Sequence, residues 1–179
     1  MRCTQSDNLS HFRRAGWSGE KNGYVSDEQA SLGARLLAEA TGTALLVMAV
    51  VGSGIMAQRL SPNDVGLQLL ENAAATVGAL IALILALGPV SGAHFNPVVS
   101  LVTRLFGGMS TRDLGLYSVV QIIGGCIGAM VANLMFELDA INLSTKDRSS
   151  GALWLSEVVA TLGLVLIIFG IVRSGRASA

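Results

Sequence analysis

The sequence predicts an all-α fold of the integral membrane class: a helical bundle of about four transmembrane helices plus one re-entrant half-helix. Three observations predict it. Hydrophobic residues make up 51% of the chain and charged residues 13%, with a mean hydropathy of +0.59, a balance typical of proteins whose solvent is lipid. Four apolar runs are each long enough to cross a hydrocarbon core of about 30 Å. Between the second and third lies Gly88-Pro89-Val90-Ser91-Gly92-Ala93-His94-Phe95-Asn96-Pro97-Val98-Val99, which is turn chemistry at membrane depth.

Taken in order, residues 1–31 hold Arg2, Arg13, Arg14 and Lys21 among few apolar residues. They read as a mostly disordered cytoplasmic head, either a solvated orientation signal or a partner-binding tail. No cleavable signal peptide is visible. The first span runs from about Leu32 to Gln58, and Ser61-Pro62-Asn63 lies in a turn from Arg59 to Asp64. The second span covers about Gly66 to Leu87, with Glu71 and Asn72 near its outer end. Pro89 and Gly92 then break the helix. Asn96-Pro97 starts another, with Asn as N-cap and Pro97 at the first helical position, where its missing N–H is harmless. The apolar segment Val98 to Phe106 is about 14 Å long at about 1.5 Å per residue, too short to cross. The chain is therefore expected to enter the membrane as a loop and leave it as a half-helix over residues 88–106. Such irregular backbone is tolerated only when buried in protein or lining a watery cavity.

After a Gly107-Gly108 break, Thr111 is the expected cap of a third span from about Asp113 to Leu138. A polar loop, Asp139 to Ser150, leads to a fourth span over about Gly151 to Val172. With the head inside, the inner segments carry Arg2, Arg13, Arg14, Lys21, Arg35, Arg104, Arg112, Arg173 and Arg176, and the outer ones Arg59, Lys146 and Arg148. Nine against three favours a cytoplasmic N-terminus and a multi-pass protein of the cell membrane.

Zero net charge gives no reason to expect nucleic acid as a partner. Cys3 and Cys126 form no metal or redox spacing, and no nucleophile–base pair or phosphate loop suggests an enzyme or a cofactor. His94 is a loop-fixing group, a metal ligand or a proton shuttle by residue type; the first is the simplest. Gly124, Gly125, Gly128 and Ala129 put small residues where helices pack closely.

The stretch Ser91-Gly92-Ala93-His94-Phe95-Asn96-Pro97-Val98-Val99 resembles the first signature loop of the aquaporin, or major intrinsic protein, family, with Val98 in place of the alanine of Asn-Pro-Ala. An internal repeat agrees: Glu39-Ala40-Thr41-Gly42-Thr43 aligns with Glu157-Val158-Val159-Ala160-Thr161, offset by 118 residues (157 less 39). Spans separated by three crossings run in opposite directions, as in inverted-repeat transporters. The resemblance implies an aquaporin-like bundle in which residues 32–138 form the first repeat and 139–179 begin a second. A second signature loop would fall near position 214, so the chain is expected to carry an incomplete inverted repeat. The resemblance implies a passive channel for water or small neutral solutes, glycerol-like or arsenous acid, and a homotetramer for a complete chain. The alternative is a non-conducting membrane protein, or one part of a split channel that needs a partner chain.

In a pore, the backbone carbonyls of Gly92, Ala93, His94 and Phe95 would replace hydration, and the Asn96 amide would donate to the solute. Asn96 as a mere cap is the plainer alternative. Glu39 and Glu157 are expensive inside lipid and need partners, as a proton relay or as a scaffold. The resemblance implies the scaffold: Glu157 would hold the loop around His94, the loop for Glu39 would be absent, and Gln121 would satisfy loop backbone. In the family it resembles, the second-span selectivity residue stands 20 residues before the loop asparagine, and the resemblance places Thr76 there (96 less 76). There it would widen the constriction, or it packs against a neighbouring helix.

Overall fold

The computed structural model describes residues 30–144 and 149–174. It is helical throughout, with no strand among the described residues: α1 Leu32–Leu60, α2 Val65–Ser91, α3 Pro97–Leu105, α4 Thr111–Met135 and α5 Gly151–Arg173. Four of these, α1, α2, α4 and α5, are long and apolar enough to cross a membrane, and α3 is the short one. The chain is thus a multi-pass membrane protein. Of the head expected at 1–31, all but Ala30 and Ser31 lies outside the described residues.

Each long helix starts on a hydroxyl or carboxylate cap that accepts a backbone N–H of its first turn: Ser31 from Ala34, Asp64 from Leu67, Ser110 from Asp113 and Ser150 from Leu153. The cap of α4 is Ser110, not Thr111. Thr111 is already helical, and its Oγ1 accepts from Arg104 Nε at 3.0 Å. Helix α4 also stops at Met135, short of Leu138: Glu137 turns to φ 60°, and Leu138 N–H folds back onto the Asn133 carbonyl.

The largest departure concerns Pro89, which lies inside α2 and does not break it. Near a C-terminus a proline removes one ladder bond, whereas Gly92 at φ 89° reverses the backbone hand. Its N–H closes the last turn on Gly88 O at 2.9 Å. The break is therefore glycine's alone.

Helices α1 and α4 run parallel and form the centre of the packing. In lipid no hydrophobic force drives helices together, so contact depends on close backbone approach and hydrogen bonds. Gly124 and Gly128 supply the approach: a side chain at either would overlap the carbonyl oxygen of Ala40 or Ala44. Gly125 lies beside Val47 and Thr43. The end of the bundle where α1 and α4 begin is held by Arg35 and Asp113 at 2.8 Å; the opposite end is held by Arg59, over the Phe136 ring at 5.5 Å. Helix α2 returns antiparallel along α1, where Asn72 Nδ2 donates to Val50 O at 2.8 Å and Ser53 Oγ at 2.9 Å. Helix α5 contributes no buried residue and touches the rest beside α3, with Phe169 against Phe106 at 5.2 Å between ring centroids.

Candidate functional site

The loop from Gly92 to Asn96 sits between the end of α2 and the start of α3, against α1 and α4. Its backbone is unusual: Ala93 and Phe95 have φ of 49° and 47° beside Gly92 at 89°. Non-glycine residues hold such angles only when their surroundings impose them.

Glu39 does most of the imposing. Its side chain is 0% exposed, and every partner of its carboxylate is a donor. Oε1 accepts from Ser91 Oγ at 2.6 Å and His94 N–H at 3.0 Å. Oε2 accepts from Phe95 N–H at 2.8 Å and Gln121 Nε2 at 2.8 Å. Ser91 Oγ accepts in turn from Ala93 N–H at 3.1 Å. One acceptor-only group thus satisfies two successive loop amides directly and a third through a hydroxyl. Gln121, 1% exposed, also donates to Ser100 Oγ at 3.1 Å, and Ser100 faces His94 Nδ1 at 3.0 Å. The buried Phe95 ring rests on Gly42, where any side chain would overlap it.

This arrangement corrects the assignment of the two glutamates. The loop around His94 is held by Glu39, and Glu157 takes no part. Glu39 lies in the α1–α2–α4 contact where α2 ends. Glu157 is on α5, exposed, lining an apolar groove of about 430 Å³ between α3 and α5 with Val98, Val102, Trp154, Thr161 and Val165.

Asn96 caps α3 through Oδ1, which accepts from Val98 N–H at 2.8 Å. Its Nδ2 has no partner among the described residues. The carbonyls of Gly92, Ala93, His94 and Phe95 likewise accept no hydrogen bond among the described residues. Four acceptors and one donor are therefore left open along one short stretch. Pro97 occupies the first turn of α3. Thr76 stands apart from this cluster, on the other half of α2, and its Oγ1 donates to Asn72 O at 2.8 Å.

Sequence reasoning did not single out Ser91, Ser100, Tyr117 or Gly42. The signal was there for two of them. Gly42 lies inside the repeated segment, and Tyr117 falls four residues before Gln121 and four after Asp113, on one helix face.

Residues 27–179 match the family model described as Major intrinsic protein. Aquaglyceroporin AqpS of Rhizobium meliloti (strain 1021) is 49% identical over 142 residues, covering 79% of this chain and 60% of that protein. Probable aquaporin NIP7-1 of Arabidopsis thaliana is 29% identical over 133 residues, 74% of this chain and 47% of that one. Aquaporin-8 of Rattus norvegicus is 47% identical over 75 residues, 42% and 27% of the two chains. The chain spans 47–60% of the length of the first two of these relatives.

Proposed function

The chain belongs to the major intrinsic protein family, a family of channels, and from that premise we propose that its re-entrant loop forms one wall of a passive pore. The observation that carries this is the run of four unpaired carbonyls from Gly92 to Phe95 beside the open Nδ2 of Asn96. Unpaired backbone at membrane depth costs several kcal/mol per group unless water or a solute satisfies it. A neutral hydroxylated solute does so: its O–H groups meet the carbonyls and its oxygen meets the Asn96 amide. The N-terminus of α3 carries about half a positive charge, which opposes cations there.

The solutes we assign are water and small neutral molecules, glycerol and arsenous acid among them. Thr76 is the proposed widening residue of the outer constriction, and the similarity to an aquaglyceroporin supports the same class. The opposite wall belongs, on this reading, to a second re-entrant segment outside these 179 residues, seated in the groove between α3 and α5. Glu157 there repeats the role of Glu39 and accepts its N–H groups. The excess of arginine and lysine on one side supports a cytoplasmic N-terminus, and a tetramer is the proposed assembly of the complete channel.

Stopped-flow light scattering of proteoliposomes tests this. The 179-residue chain alone is expected to leave water and glycerol permeability at the level of empty vesicles. Joined to the remaining C-terminal part of a full-length relative, it is expected to speed glycerol flux at least about tenfold, a barrier change of about 1.4 kcal/mol, with Asn96→Asp abolishing the gain. The rival reading, a membrane protein that transports nothing, expects no flux in either form.

A further inference from the structure

Beyond the contacts of Glu39, one side chain touches the loop on both sides of its break. Tyr117 is 2% exposed. Its Oη donates to the carbonyl of Ser91 at 3.0 Å, at the last residue of α2. Its ring lies 5.5 Å from the imidazole of His94, tilted by 57°. Glu39 takes the N–H groups of the loop and has nothing to offer a carbonyl, so the Ser91 carbonyl is fixed from α4 alone. Above the Tyr117 ring stands the guanidinium of Arg35, 5.8 Å from the centroid, and Arg35 Nη2 donates to Asp113 Oδ2 at 2.8 Å. On α4, Asp113, Tyr117 and Gln121 follow at four-residue spacing; on α1, Arg35 and Glu39 do the same. The result is a ladder of contacts from the end of the bundle to the loop. Its first rung is 26% and 22% exposed at Arg35 and Asp113; the rungs beneath, Tyr117, Glu39 and Gln121, are buried.

We propose that Tyr117 is a positioning residue for the re-entrant loop, and that the Arg35–Asp113 pair sets its grip. The ion pair holds the ring in place, the ring holds the Ser91 carbonyl, and that carbonyl fixes where the helix gives way to the left-handed turn at Gly92 and Ala93. A charge that competes for Arg35 or Asp113 at the surface thereby loosens the loop from a distance. This deepens the channel reading and rests on it for its consequence in flux, but the position of the loop can be measured without flux.

The test is amide hydrogen exchange by mass spectrometry on the full chain in lipid nanodiscs, comparing a peptide over residues 92–96 with one over 124–132. Tyr117→Phe keeps the ring and removes the donor. It is expected to raise exchange in the first peptide about tenfold, the worth of one net hydrogen bond, and leave the second unchanged. Asp113→Asn, at a partly exposed site, is expected to raise the first peptide about threefold. The exchanged pair Arg35→Asp with Asp113→Arg is expected to bring it back. Wild-type exchange in Tyr117→Phe overturns the proposal. So does a joint rise in both peptides, which marks general loosening, or a swapped pair no better protected than Asp113→Asn. Flux absent from the joined channel, with loop protection still dependent on Tyr117, defeats the channel reading and leaves this one standing.

Discussion

Replacing Glu39 by alanine is expected to remove the re-entrant loop from its place and lower unfolding stability by at least about 3 kcal/mol. The substitution strands four donors at once: Ser91 Oγ, the N–H groups of His94 and Phe95, and Gln121 Nε2. Each buried donor left unmade costs about 1–3 kcal/mol, and lipid offers no replacement acceptor. Ala93 and Phe95 also lose what keeps them at positive φ. Glu39→Gln is expected to fall between: its oxygen still serves Ser91 and His94, but its amide meets the donors of Phe95 and Gln121 head on. Titration with SDS in mixed micelles, followed by circular dichroism, measures both. An alanine variant as stable as the parent would mean that the loop is held elsewhere.

Gly124→Ala is the second large effect, expected at about 1–3 kcal/mol from forced separation of α1 and α4. Its methyl group would meet the Ala40 carbonyl oxygen, which belongs to a helix backbone and cannot rotate aside. Gly78→Ala and Gly163→Ala are the controls, since a methyl group there has open space and a small helix-propensity gain. The same SDS titration decides it: equal behaviour of all three variants would show that glycine at 124 has no special packing role. Because Gln121 is one turn before Gly124, the variant is also expected to lengthen the Gln121–Glu39 contact.

The half-helix could be read from the sequence because its signals are local. Asn96-Pro97 is cap chemistry contained in two residues, and the length of the apolar run is simple arithmetic against the bilayer. The four long helices were legible for the same reason. Pro89 misled because a breaker was inferred from residue type, while the outcome depended on its position one turn from the helix end and on the positive φ of Gly92. The two glutamates show a different limit. The repeat identified both Glu39 and Glu157, but which one holds the loop at His94 depends on which helices pack together. The glycines of α4 imply close packing without saying that the partner is α1. Once Gly124 lies on Ala40, Gln121 must face Glu39, and the end of α2 completes the set. Tyr117 was marked by its register with Asp113 and Gln121, whereas Ser100 was hidden, because a serine inside an apolar helix reads as ordinary filler.

Helix α5 has a consequence for how this polypeptide tolerates being divided. Its backbone hydrogen bonds are made within itself and to its own cap, Ser150, and it contributes no buried residue. A nick or a gene split at 139–150 would give two products, each holding at least one helix long and apolar enough to cross a bilayer. The molecule thus has its natural seam there, while any cut between α1 and α4 would part groups that only satisfy one another.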